Sequence, residues 1–202
     1  MNRMEALEAV KDLIGDELVV TTAGSATSDW HVVHPSDGQL QAKTLGLCSS
    51  IGLGLAIGQP DRRVIVLDGD GALWMNLSSL GTIGWKRPRN LVHICMDNGN
   101  YESSGGTPTA SSARMNFAAV ARGAGIESAV EADNPADFAA AVKHALSSDG
   151  PHFIWCRISG SRAKAPPFPM DELENKYRFI RFVEKTTGKT ILQQSQVASQ
   201  LH

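Results

Sequence analysis

Two short stretches of this chain carry residue types that could do chemistry together. The first, Asp68-Gly69-Asp70-Gly71, follows a β-branched run, VIVL, without a spacer and leads straight into an apolar segment, ALWMNLSS. The second, Asp97-Asn98-Gly99-Asn100, follows another apolar run, LVHICM. Glycines let main-chain N–H groups approach an anion, and a helix beginning near Leu73 would direct the positive end of its dipole to the same place. A carboxylate beside an anion site makes electrostatic sense only with a cation between the two. Mg²⁺ held by a carboxylate and by diphosphate oxygens meets that condition, in octahedral geometry at about 2.0–2.1 Å. Read alone, Asp-Gly-Asp-Gly is also a common turn, and it resembles the start of a calcium loop. The EF-hand version fails, because Ala72 and Leu73 stand where that loop needs a liganding Asp or Asn and a Gly.

Such loops need a scaffold that brings strand ends together. Residues 4–14 place Leu7, Val10, Leu13 and Ile14 at helical spacing and stop at Gly15, and ELVVTT then reads as a strand. The stretch 45–58, LGLCSSIGLGLAIG, is apolar and crowded with Gly, Ser and Ala, which predicts a deeply buried helix that approaches a backbone or a ligand closely. Strand VIVL (64–67), a helix over about 73–86 and strand LVHICM (91–96) follow. Helices are expected over 113–123 and 135–147, the latter opened by Asn134-Pro135 as N-cap and first helical residue, and strand FIWCRI (153–158) closes the core. This alternation predicts an α/β fold, a three-layer doubly wound parallel sheet with helices on both faces, whose ligands sit at the carboxyl ends of the strands. Residues 1–160 are expected to form that domain. Residues 161–202 read as a Pro-rich linker (APPFP), an amphipathic helix (DELENKYRFIRFVEK) and a polar tail whose last ten or so residues are expected to be disordered.

Composition agrees with one domain. The chain has 202 residues, 42% hydrophobic and 20% charged, enough for one sizeable core. The net charge of -2, spread along the chain, leaves no basic stripe for nucleic acid. Cys48, Cys95 and Cys156 show no CxxC spacing and read as small core residues. Without a signal-peptide pattern or an apolar stretch of about 18 residues, the expected location is cytoplasmic, with no membrane partner. His31 and His34 lack further ligands at metal spacing, and Trp30, Trp74, Trp85 and Trp155 read as core or interface residues.

Gly69-Asp70-Gly71, then 26 residues, then Asn98, resembles the cofactor motif of the pyrophosphate-binding domain of thiamine diphosphate enzymes. That resemblance implies thiamine diphosphate and Mg²⁺ as cofactors. It implies that Asp70, the Asn98 side chain and the Asn100 main-chain oxygen hold the metal, and that amides of Ala72 and Leu73 meet diphosphate oxygens, with Gly69, Gly71 and Tyr101 beside them. The turn Gly24-Ser25-Ala26 resembles a second diphosphate-contacting turn. Leu45 matches the apolar residue that wedges between the cofactor's two rings, and the Lys43 carbonyl would accept from the aminopyrimidine. Gly52 and Gly54 suit either a cofactor role or simple helix packing.

In that family the cofactor is activated by a glutamate from a second, pyrimidine-binding domain, for which this chain has no room. The resemblance therefore implies a partner α subunit that supplies the glutamate, in a hetero-oligomer such as α2β2 or larger, with the cofactor across the interface and the 45–58 helix nearby. Within the family, residues 3–160 look most like the sulfopyruvate decarboxylase β subunit and the equivalent part of phosphonopyruvate decarboxylase, through EALEAV, GDELVV, LGLCSSIGLGLAIGQPDRRVIVLDGDG and DNGNYESSGGTPT. The implied activity is decarboxylation of a small 2-oxo acid, with Ser104, Gly105, Gly106 and Lys43 as candidates for substrate contact.

One departure bears on the substrate. Where those decarboxylases carry an Arg-Glu pair, this chain reads Thr27-Ser28-Asp29-Trp30, which removes a bidentate partner for a sulfonate or phosphonate, and Lys43 replaces a glycine. Carboligation or acyl transfer on the same cofactor, and a non-catalytic structural subunit, stay open as alternatives. A 2-oxo acid:ferredoxin oxidoreductase subunit is disfavoured for want of a cluster-binding cysteine set.

Overall fold

The protein is described by a computed structural model over residues 1–159 and 165–192. The chain runs through α1 (Arg3–Val10), β1 (Leu18–Thr22), α2 (Ser25–Val33), β2 (Gln39–Ala42), α3 (Cys48–Gly58), β3 (Val64–Gly69), α4 (Asp70–Met75), α5 (Ser79–Lys86) and β4 (Leu91–Asp97). It continues through a two-stranded antiparallel hairpin, β5 (Asn100–Tyr101) and β6 (Thr107–Pro108), then α6 (Phe117–Gly123), β7 (Ser128–Ala132), α7 (Pro135–Ser147), β8 (His152–Arg157) and α8 (Glu172–Thr187).

Six strands form one parallel sheet in the order β2-β1-β3-β4-β8-β7. A parallel sheet covered on both faces needs apolar residues at every strand position, and the period of two sorts them. In β3, Val64 and Val66 pack with residues of α3, α5, α6 and α8, while Ile65 and Leu67 pack on the opposite face with α1, α2 and α7. The three layers are therefore those expected. All three cysteines are buried and unpaired.

Local chemistry fixes the helix ends. Asn2 and Glu5 form a reciprocal capping box on α1, Asn134 accepts from the Asp137 N–H at 3.0 Å with Pro135 beside it, and Asp171 caps α8. Helix α8 packs on this domain: Phe179 and Val183 enter the core, and Asn175 donates to the Gln39 carbonyl and accepts from the Gln41 N–H, both at 2.8 Å. Its carboxamide thus occupies free main-chain groups of the edge strand β2. The polar tail beyond residue 192 lies outside the described residues.

Several elements differ from the sequence expectation. The helix expected over 73–86 is two helices, and the first begins at Asp70 itself; Asn76 breaks the run by donating to the Gly46 carbonyl at 2.8 Å. Helix α3 begins at Cys48 and buries one face only, leaving Leu47 and Ile57 in solvent. Residues 113–116 are not part of the helix, which starts after its Asn116 cap. FIWCRI forms β8, the last strand in the sequence, and lies between β4 and the edge strand β7. Helix α2, strands β2 and β7 and the β5–β6 hairpin come as additions.

Candidate active site

The strand order places a switch point between β1 and β3, since the chain leaves β1 toward β2 and returns to β3 on its other side. Loops after β1 and β3 turn toward opposite faces there and open a crevice. The crevice is a cavity of about 450 Å³. Thr22 to Ala26 line it from β1, Asp68 to Ala72 from β3, and Asn98 with Asn100 to Ser103 from β4. Leu45, Met96 and Arg3 complete the wall. The register explains why the two glycine-rich loops meet: Gly69 pairs with Met96, so Asp70 and Asp97 follow side by side at the same level of the sheet.

Asp70 is almost fully buried and opens α4, where a carboxylate complements the helix dipole. Thr109 donates to its Oδ2 at 2.6 Å, and the Ser111 hydroxyl stands 3.0 Å from the same oxygen and 2.7 Å from Asp97 Oδ1. Burial pushes the Asp70 carboxyl up to about 6, the Thr109 hydrogen bond opposing and the Asp97 charge adding to the rise. Asp97 is anchored further by Trp155, whose indole N–H donates to Oδ2 at 2.8 Å.

The asparagine loop is held by a charged network. Asn98 Nδ2 donates to Glu102 Oε1 at 2.5 Å, and Asn98 Oδ1 accepts from the Asn100 N–H at 2.9 Å. Arg3 reaches in from α1 to Glu102 Oε1 at 2.8 Å and to Asp29 Oδ2 at 3.1 Å, and Ser25 donates to Glu102 Oε2 at 3.0 Å. Burial raises the Asp29 carboxyl above its ordinary range, with the Arg3 hydrogen bond and charge opposing it.

Of the residues singled out in the sequence, Gly24, Ser25, Ala26, Leu45, Gly69, Asp70, Gly71, Ala72, Asn98, Asn100 and Tyr101 line this one cavity. Leu73 is fully buried with its side chain in the core, so only its main chain faces other duties. Ser104, Gly105 and Gly106 lie exposed on the β5–β6 connection and do not line the cavity, whereas their neighbour Ser103 does. Lys43 lines an adjoining cavity of about 380 Å³ with Ser28, Gln41 and Phe168, sharing Gly24 and Ser25 with the first. Gly71 is required by packing, since a Cβ there would meet the Tyr101 ring at 2.6 Å; Gly24 has φ +104° with open space above it. Arg3, Thr22 and Glu102 were not marked by the sequence. A charged residue near the N-terminus and one inside a helical turn carry no motif signal, and only the fold brings them together.

Two residues of the cavity wall carry buried oxygens. Thr22 Oγ1 and Asp68 Oδ2 are buried without a hydrogen-bond partner among the described residues; His93 Nε2 stands 3.5 Å from the Asp68 oxygen. A cation at Asp70 would find one carboxylate, the side-chain oxygen of Asn98 and main-chain oxygens, the all-oxygen surroundings that magnesium takes. Among the described residues no group of three or more His, Cys, Asp and Glu side chains could hold a metal ion, and this mixed oxygen set is of a different kind.

Residues 26–156 match the model of the thiamine pyrophosphate enzyme family, C-terminal TPP binding domain. The chain belongs to the thiamine pyrophosphate enzymes. Within this family it is similar to the sulfopyruvate decarboxylase subunit beta of Methanothermobacter thermautotrophicus, 34% identical over 188 residues that cover 93% of this chain and 98% of the relative. It is also similar to the phosphonopyruvate decarboxylase of Streptomyces viridochromogenes, 36% identical over 77% of this chain and 39% of that longer protein. Among solved structures, benzoylformate decarboxylase from Polynucleobacter necessarius superposes with a TM-score of 0.66 at 18% identity, over 81% of this chain and 34% of its own, which shows a shared fold. Among the described residues no helix is long and apolar enough to cross a membrane.

Proposed function

We propose that this chain is the cofactor-anchoring β subunit of a split decarboxylase that acts on a small 2-oxo acid with thiamine diphosphate and Mg²⁺. The observation that carries the reading is the convergence of the Asp70 loop and the Asn98–Asn100 loop on one cavity, in a chain of this family. Its beta-subunit and decarboxylase relatives support the reaction class.

Asp70, Asn98 Oδ1 and the Asn100 main-chain oxygen would hold the metal, and amides of Ala72 and Leu73 with the Gly24-Ser25-Ala26 turn would hold the diphosphate. Leu45 would support the cofactor from the β2–α3 connection, with the Lys43 carbonyl nearby. The bound cofactor supplies a carbon that adds to the 2-oxo group and a ring that accepts the electrons released as carbon dioxide leaves. This chain's residues bind, orient and exclude water; an α subunit contributes the activating glutamate. Lys43 in the adjoining cavity offers a single ammonium to the substrate's tail in place of a guanidinium, alongside Ser28. Contact of Ser104, Gly105 or Gly106 with substrate would require the β5–β6 connection to fold over the cavity that Ser103 lines.

The docking face for the α subunit is the outer side of α3 and α5. Ile57 on α3 and Trp85 on α5 are exposed, Trp85 by 74%, as are Leu47 just before α3 and Met75 at the end of α4, and Leu45 lines the cavity. Native mass spectrometry of the chain purified from its own cells, with thiamine diphosphate and Mg²⁺ present, tests the proposal. A complex containing a second subunit and one cofactor per pair is expected. A homo-oligomer that takes up no cofactor would overturn it.

A further inference from the structure

We infer that Glu102 sets which face Asn98 turns toward a metal, and that Arg3 holds Glu102 in place. The inference rests on reading the cavity as a thiamine diphosphate and magnesium site. A carboxamide has one oxygen and one NH₂ group, and only the oxygen can bind a cation. The two neighbours of Asn98 decide its orientation. Glu102 Oε1 belongs to a carboxylate in an ion pair, which only accepts, and lies 2.5 Å from Nδ2; the Asn100 N–H, which only donates, lies 2.9 Å from Oδ1. A flipped carboxamide would set oxygen against carboxylate and NH₂ against N–H, so both contacts would turn repulsive.

Glu102 is fixed in turn from two other elements. Arg3 Nη2 stands 2.8 Å from its Oε1, and Ser25 Oγ donates to Oε2 at 3.0 Å. Arg3 is itself buried and paired through Nη1 with Asp29, so its guanidinium cannot swing away. One carboxylate thereby ties the metal loop after β4 to the turn after β1, and the N-terminal helix locks the joint. Glu102 and Arg3 act through Asn98 and are positioning residues. Without the carboxylate, the carboxamide loses the contact that penalises its flipped form most.

The test uses the full chain in the complex with which it purifies, at saturating thiamine diphosphate, with Mn²⁺ as the probe and free Mn²⁺ counted by electron paramagnetic resonance. Glu102→Ala is expected to weaken Mn²⁺ binding about 10- to 100-fold, the range for a residue that orients a metal ligand. Arg3→Met is expected to weaken it less, in the same direction. Glu102→Gln, whose carbonyl oxygen can still accept from Asn98, should recover part of the loss. A purely structural role would lower the melting temperature and leave the Mn²⁺ dissociation constant of the folded protein alone. Values within twofold of wild type in folded Glu102→Ala and Arg3→Met overturn the inference; if Glu102→Ala does not fold, Arg3→Met decides by the same criterion. A wild-type complex that binds no more Mn²⁺ than Asp70→Asn overturns the cofactor reading and this inference with it. Unchanged variants of a binding wild type overturn the inference alone.

Discussion

Asp70 and Asp97 share one hydroxyl: Ser111 Oγ stands 3.0 Å from Asp70 Oδ2 and 2.7 Å from Asp97 Oδ1. Ser111 has one proton for the two carboxylates, and the Thr109 hydroxyl donates to the same Asp70 oxygen at 2.6 Å. The pair follows from the register of β3 against β4, with Asp70 in the wall of this cavity and Asp97 in the wall of a neighbouring one.

Asp70→Asn should leave the fold intact and abolish cofactor-dependent turnover. Burial already opposes the charged carboxylate, so a neutral amide of the same shape costs the fold little. Loss of an anionic ligand should reduce turnover on the order of 100-fold or more. Circular dichroism and steady-state decarboxylation assays check both halves, and full activity in this variant would remove Asp70 from the metal site.

Two glycines of α3 should respond in opposite ways. A Cβ at Gly52 would lie 2.1 Å from Val66 Cγ2, so Gly52→Ala should push α3 off β3 and destabilise the protein by about 1–3 kcal/mol. A Cβ at Gly54 meets nothing within 4 Å, so Gly54→Ala should stabilise the isolated chain by up to about 1 kcal/mol through helix propensity. Chemical denaturation of both variants measures the contrast. Gly52 thus has a packing reason of its own.

The strongest sequence signals came from elements with a single physical cause. VIVL is apolar throughout, and LVHICM apart from His93, because both faces of their strands are covered, and Asn134-Pro135 opens α7 because its cap and first position suit those residues. Strand β2, QLQA, was illegible because Gln39 and Gln41 are polar residues made acceptable by neighbours distant in sequence: Gln39 Nε2 donates to the Thr27 carbonyl, and Asn175 covers the edge. Helix α2, SATSDWHVV, is rich in weak helix formers and is held by the burial of Ala26 and Trp30. The two glycine-rich loops were legible as motifs. The Arg3–Glu102 contact was not, because it joins residues 99 positions apart.

His152 predicts an acid sensitivity. Burial lowers its imidazole below the ordinary value of 6.5, and the ring sits neutral, Nε2 donating to the Ser148 carbonyl at 3.2 Å and Nδ1 accepting from Ser128 at 2.7 Å. The unfolded chain therefore binds a proton that the folded chain refuses. The stabilisation is complete above about pH 6.5 and is lost as pH falls through the window between that value and the lowered folded one. Urea midpoints should decline in that window for wild type. His152→Gln should flatten the decline, and identical slopes in the two proteins would contradict the assignment.

The exposed face of α3 and α5 yields a prediction about assembly. Leu47, Ser50, Gly54 and Ile57 fall on one side of α3 at helical spacing, and all are exposed, as are Gly81, Thr82 and Trp85 on α5. Small residues between large apolar ones let another backbone approach closely, and Trp85, with Lys86 Nζ 4.0 Å from its ring centroid, is a residue type that often anchors interfaces. Ile57 and Trp85 are 55% and 74% exposed, so Ile57→Glu and Trp85→Glu should leave the melting temperature of the isolated chain nearly unchanged. In the assembled protein each buried glutamate would lack a partner, and association should weaken by about 2 kcal/mol or more. Sedimentation velocity of the complex at graded concentrations reads the shift directly; undiminished association in both variants would place the α subunit on another face.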